Sequence, residues 1–265
     1  MRRFFLLLSV LIALLIPAES FAGPFMVLHK RGSAWSGGAW SPTDVAGCVL
    51  WLDASQLTGL SDGDPVASWS DESGQSHDAA QSTADKKPEY DIAPTVIFSN
   101  DYLTITDTAD LEFGTGDFAI FALAKFTGGD AGNSVIIAHN NITTGTYPYW
   151  SFRKLGNLFA YYSDDNYTQH DTNANSGEKT INAAAYYVVS VYRSGTEIKV
   201  GVDGSYGAAG ATNTPAGDID GVINVGYDDM WGTGCAMELK ELIVYKGTVS
   251  SDDRAKIESY LADKK

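Results

Sequence analysis

Positive charge is in short supply in this chain. Its 265 residues hold 18 Lys and Arg against 33 Asp and Glu, a formal net charge of −15. Such a field repels nucleic acid and anionic lipid, so neither is an expected partner. It suits a soluble protein and is compatible with bound calcium. Histidine is scarcer still: His29, His77, His139 and His170 are scattered, with no metal-ligand spacing. There is no Gly-x-Ser-x-Gly elbow and no phosphate-cradling glycine loop. Beyond Ile16 no apolar run approaches the ~20 residues that span a bilayer. Strand–helix alternation is missing too, which argues against a parallel α/β sheet.

What is present begins with a targeting signal. Arg2 and Arg3 precede an almost wholly apolar stretch, Phe4 to Ile16, which Pro17 ends. Ser20 and Ala22 then put small residues at the −3 and −1 positions of a cleavage site before Gly23. That is the three-part layout of a secretory signal peptide over residues 1–22. No Cys follows the apolar run, so no lipid-attachment site is expected. The mature chain is expected to be secreted, periplasmic or displayed outside the cell, with no stable membrane insertion. Losing Arg2, Arg3 and Glu19 leaves 16 basic against 32 acidic residues. Residues 23–41, rich in Gly, Ser and Trp, read as an N-terminal arm.

From residue 42 onward the text is that of strands and turns. Hydrophobic residues make up 44% of the chain and aromatics 12%, enough to fill a core. Apolar or alternating runs fall at Val49–Leu52, Val66–Trp69, Thr95–Phe98, Tyr102–Ile105 and Phe118–Phe126. They continue at Ser134–Ala138, Tyr149–Phe152, Leu158–Tyr162, Val222–Tyr227 and Met237–Tyr245. Ala185–Tyr192 and Glu197–Val202 flank a Ser194-Gly195 turn and form a hairpin. Many short strands at near-even spacing predict an all-β sandwich or barrel in one domain, 42–265. One helix is predicted at the end. Ser250 stands three residues before Asp253, a capping-box-like start, and Ile257, Tyr260 and Leu261 form one apolar face.

Two stretches carry a family resemblance. One is Val49-Leu50-Trp51-Leu52-Asp53-Ala54-Ser55, then Asp62-Gly63-Asp64, Trp69-Ser70-Asp71-Glu72-Ser73-Gly74 and His77-Asp78-Ala79. The other is Glu238 to Tyr245 followed by Ser251 to Lys264. Together they resemble the laminin-G-like branch of the concanavalin A-like lectin/glucanase superfamily. The resemblance implies a jelly roll of two antiparallel sheets with a short C-terminal α-helix. It also implies that the first and last strands lie side by side, Val49–Asp53 along part of Glu241–Tyr245. Cys48 and Cys235 then fall at opposite ends of that ladder, which argues against a disulfide although an exported chain would allow one. Trp51 and Trp69 read as core, and Asp71 as the initiator of a turn; its sharper reading is a calcium ligand.

Glucanases of this superfamily carry their acids on one strand as Glu-x-Asp-x-Glu or Glu-x-Asp-x-x-Glu. This chain has no such string. The nearest, Glu238-Leu239-Lys240-Glu241, spaces its acids by three, which a regular strand points to opposite faces. A non-catalytic module is therefore expected. Candidate ligand-binding residues are aromatics that stack on sugar rings, with polar neighbours: Tyr149 and Trp150, Tyr161, and Tyr227, Asp228, Asp229 and Trp231. The plainer reading of each aromatic is core packing. The expected partner is a glycan or a cell-surface molecule. The alternatives are a structural, adhesive or virion protein using the same sandwich, and a glycan hydrolase or lyase working through Asp228 or Asp229.

Overall fold

The computed structural model describes residues 40–129, 133–141, 149–164, 174–211, 219–229, 232 and 234–265. These lie in the compact unit Trp40–Lys265. The expected signal peptide and nearly all of the expected arm lie outside the described residues.

Among the described residues the strands run β1 (Cys48–Asp53), β2 (Ser68–Trp69), β3 (Ala79–Ala80), β4 (Glu89–Asp91), β5 (Thr95–Ser99) and β6 (Leu103–Ile105). They continue with β7 (Phe118–Phe126), β8 (Ser134–Asn140), β9 (Tyr149–Leu155), β10 (Leu158–Asp164), β11 (Ala174–Asn175) and β12 (Tyr186–Ser194). The last are β13 (Glu197–Val202), β14 (Ser205–Tyr206), β15 (Gly210–Ala211), β16 (Val222–Val225) and β17 (Ala236–Lys246), before the helix α1 (Ser251–Ala262). They form two antiparallel sheets, a β-sandwich. The first has the order β14-β13-β12-β7-β17-β5-β4, with β1 also on β17 and β15 on β13. The second has the order β11-β10-β9-β8-β16-β6-β3-β2.

The first and last strands do pair, from Cys48 opposite Tyr245 to Asp53 opposite Glu241. Cys48 and Cys235 are both buried and both free thiols, at opposite ends of β17 as the ladder requires. Burial pushes the Cys48 thiol up to about 12 and the Cys235 thiol well above its usual value.

Strand periodicity sorts the side chains of β7. Phe118, Ile120, Ala122, Ala124 and Phe126 enter the core between the sheets. Ala119, Phe121 and Leu123 face the other way, where Ile243, Tyr245 and the helix residues Ile257 and Leu261 cover them. This explains why β7, and β17 from Leu242 to Tyr245, read as continuous apolar runs: both of their faces are buried. The helix starts as expected, with Ser250 Oγ accepting from Asp253 N at 3.1 Å. Just past its end the Lys264 side chain reaches down to two carboxylates of the sheet.

Candidate functional site

The strand β9 presents its residues alternately to the core and to the outward face of the second sheet. Trp150 and Tyr161 take the core side and are each 2% exposed. The Trp150 indole donates to Leu111 O at 3.1 Å, and its ring lies 4.9 Å from Phe113. Tyr161 packs 5.0 Å from Phe118, and burial pushes its phenol far up. As candidate sugar platforms these two are corrected: the pleat that sends Tyr149 outward sends Trp150 inward. Tyr149 does lie on the outward face, opposite Asn140, but is itself buried at 1%. Trp231 lies outside the described residues.

The outward face carries a polar network that a core would not tolerate. Its strand residues are Asn140, Ser151, Arg153 and Asn224, all buried. Over them lies the segment that follows β16. The chain turns at Gly226, whose φ is +92° and whose missing Cβ would otherwise meet the Phe98 ring at 2.5 Å. That left-handed turn, open to glycine at no steric cost, ends the strand at Val225, two residues before the expected end. It also brings Asp228 back across β8 and β9. There Asp228 is 0% exposed, accepts from Asn140 Nδ2 at 3.2 Å and forms an ion pair with Arg153 Nη2. Arg153 Nε donates to Ser151 Oγ at 2.9 Å, and its guanidinium stands 5.2 Å over the Tyr162 ring. The neighbouring Asp229 is half-buried and accepts from Asn224 Nδ2 at 2.7 Å; Thr104 donates to the same asparagine at 3.1 Å. Tyr227, also half-buried, stacks on Tyr102 with centroids 5.1 Å apart. Desolvation, then Asp229, then Tyr102, raises the Tyr227 phenol pKa.

The structure thus brings Tyr149, Tyr227, Asp228 and Asp229 to one face and leaves Trp150 and Tyr161 behind it. Residues that were not expected complete the face: Arg153, Asn140, Asn224, Thr104 and Tyr102, with Tyr162 set against Arg153. One signal for them was legible. Tyr149, Ser151 and Arg153 fall at i, i+2 and i+4, a polar series within a strand whose alternate members are Trp150 and Phe152. Chemically, the face offers half-buried aromatic rings beside fixed carboxylate, amide and hydroxyl groups. That combination suits a ligand with apolar C–H faces and many hydroxyls.

A second cluster sits on the outward face of the first sheet. The expectation that Glu238 and Glu241 point to opposite faces is corrected. The ladder with β7 slips between Leu239 and Glu241, a β-bulge that absorbs Lys240. Glu238 pairs with Lys125 and Glu241 with Leu123, so both turn outward. Neither is open. Glu238 is held by Lys125 Nζ at 2.5 Å and the Tyr186 hydroxyl at 2.8 Å. Glu241 is 0% exposed and accepts from the Trp51 indole at 2.6 Å and Lys264 Nζ at 2.6 Å. The same ammonium reaches Asp53 at 2.9 Å and the Tyr260 hydroxyl at 2.5 Å. Burial, and then Asp53 opposite, raises the Glu241 pKa. Asp53 and Glu241 thus share one ammonium. Here the space between them is filled by Lys264, so the arrangement clasps the helix to the sheet.

Asp71 is fully engaged by the protein. Its Oδ1 accepts from Trp51 N and Ser73 N, both at 2.9 Å, and its Oδ2 from Ser73 Oγ at 2.7 Å and His77 N at 3.0 Å. These four donors make it a turn organiser that ties the loop to β1, and they occupy the oxygens a calcium ion would need. Among the described residues no group of three or more His, Cys, Asp and Glu converges as a metal site.

No family model and no curated protein sequence matches this chain. Its fold is similar to that of solved structures at low sequence identity. Botulinum neurotoxin type C, whose cell entry depends on interaction with two ganglioside molecules, matches at 13% identity and TM-score 0.56 over 83% of this chain and 52% of the toxin chain. The binding domain of botulinum neurotoxin DC, in complex with rat synaptotagmin II, matches at 11% identity and TM-score 0.55 over 83% and 52%. The Trypanosoma rangeli sialidase, in complex with sialic acid, matches at 15% identity and TM-score 0.53 over 83% and 34%. This chain therefore spans about half of the toxin chains and a third of the sialidase chain. The likeness is one of fold, a jelly-roll-like β-sandwich shared with toxin binding domains and a sialidase.

Proposed function

We propose that this protein is an exported, non-catalytic, lectin-like module of the laminin-G-like type that binds carbohydrate on a cell or matrix surface. The observation behind it is the outward face of the second sheet. There a buried Arg153–Asp228–Asn140 network underlies the half-buried Asp229 and the stacked Tyr102 and Tyr227. A ring stack beside fixed hydrogen-bonding groups is the surface a sugar needs, and a buried network keeps it in place before the ligand arrives. Export rests on the signal-peptide pattern of residues 1–22. Two fold neighbours support the ligand class, since one toxin structure concerns gangliosides and the sialidase was solved with sialic acid.

The test is a thermal melt of the purified protein against a panel of polysaccharides and oligosaccharides. A ligand that binds only the folded state at ~100-fold excess over Kd adds ~2.7 kcal/mol and raises Tm. Tyr227→Ala is expected to remove the shift while leaving the unliganded Tm nearly unchanged. A panel without any shift overturns the reading. A second reading, a protein-contacting module, has one finding in its favour: a fold neighbour was solved on synaptotagmin II. A shift with a protein partner and none with glycans would favour it.

A further inference from the structure

The site already contains a carboxylate where an acidic sugar would need to bring one. Arg153 is the cation of the outward network, and its planar fork is the group best suited to hold a ligand carboxylate. In this fold that fork is engaged from within. Asp228, completely buried, pairs with Nη2, Ser151 accepts from Nε, and Tyr162 lies across the guanidinium face. Among the described residues Arg153 pairs with Asp228, and Asp229 is the half-buried acid beside them, bonded to Asn224. The whole chain, at −15, adds to the same sign.

Resting on the glycan-binding reading above, we propose that Asp228 is a specificity-determining residue. By occupying Arg153 it makes this face select neutral, hydroxyl-rich glycans and turn away sialylated or uronic ones. Asp228 acts as a positioning residue. It does not meet the ligand, but removes the cation an acidic sugar would seek and leaves Asp229 to repel its carboxylate. Like charges set against each other across an interface are a strong discriminator. The Tyr102–Tyr227 stack is indifferent to ligand charge, so selectivity lies with the acid–guanidinium pair. This reading parts company with the sialic acid-linked fold neighbours on an observed contact.

The experiment is a glycan array holding matched neutral and sialylated or uronic members, followed by titration calorimetry on the best neutral hit and its acidic counterpart. The wild type is expected to bind the neutral member at least about tenfold more tightly. Asp228→Asn frees the guanidinium and is expected to narrow or invert that ratio. Asp229→Asn removes only the half-buried acid, threatens folding least, and is expected to narrow the ratio by a smaller factor. A wild-type preference for acidic members, or a ratio unmoved by both variants, overturns this inference and leaves the lectin reading standing. Silence across the array overturns both.

Discussion

The outward faces of the two sheets are buried by opposite means. On the first sheet Ala119, Phe121, Leu123, Ile243 and Tyr245 are covered by the apolar side of the C-terminal helix. A clasp of Trp51, Asp53, Glu241, Tyr260 and Lys264 closes one end of that seam. On the second sheet Asn140, Ser151, Arg153 and Asn224 are covered by a returning loop that brings its own acids. Apolar burial is non-directional and stabilises in proportion to area. A buried polar network contributes less to stability but holds its members in one geometry. The first face is thus built to hold the fold together, and the second to hold a surface in shape.

The sharpest way to break this contrast is Arg153→Ala. It strands Asp228 as a buried, unpaired carboxylate, and a loss of about 3–5 kcal/mol is expected by denaturant titration. Replacing the pair together, Arg153→Met with Asp228→Leu, is expected to recover most of that stability. Ligand binding should stay lost. Recovery of binding in the double variant would show that the network has no part in recognition.

Lys264→Ala tests the other face. Its ammonium is partly exposed, but it serves two buried acids, so a loss of about 1–3 kcal/mol is expected. Glycan affinity should be untouched, because the clasp lies on the opposite sheet. A change in selectivity would mean that the two faces are coupled.

Protons offer a third probe. His139 on β8 is completely buried, edge-on to Trp150 at 6.0 Å, with Nε2 3.3 Å from Asp107. Burial lowers its pKa, outweighing the raising effect of Asp107. A histidine whose pKa is lowered in the fold protonates first in the unfolded chain. Its contribution is therefore present above the usual value near 6.5 and lost as pH falls below it. Glu241 runs the other way. With its pKa raised, its contribution is present below the usual carboxylate range and lost as pH rises through its folded value. Melts between pH 4 and 8 are expected to show both trends. His139→Gln should flatten the acid limb and Glu241→Gln the alkaline one, the first without effect on the clasp.

The smallest effect is expected at the helix start. Ser250→Ala removes the cap on Asp253 N, at a cost of about 1 kcal/mol. It should lower Tm by a few degrees and leave binding unchanged.

Much of the fold was legible before any coordinates. The apolar runs of Val49–Leu52 and of the last strand from Glu241 to Tyr245 mark segments buried on both faces, and both are buried along nearly their whole length. The hairpin turn falls at Gly195-Thr196, one residue past the expected Ser194-Gly195, and the Ser250 cap stands where local chemistry puts it. The candidate site was only half legible. Tyr227, Asp228 and Asp229 were singled out as ligand-binding, but Asp228 is wholly buried. Trp150 and Tyr161 were misplaced because composition cannot say which parity of a strand faces the core.

The sequence by itself determined the main strands and the capped C-terminal helix, which follow from periodicity and local hydrogen bonding between near neighbours in the chain. The pairing of first strand with last was implied only by the family resemblance, and the ladder bears it out. Only the tertiary structure decided which way the acids and aromatics face. A one-residue bulge at Lys240 turned Glu238 and Glu241 to the same side. A left-handed turn at Gly226 carried Asp228 onto Arg153, 75 residues away in the chain. Both outcomes depend on cross-strand register and loop return, which distant partners set. No window of the sequence holds that information.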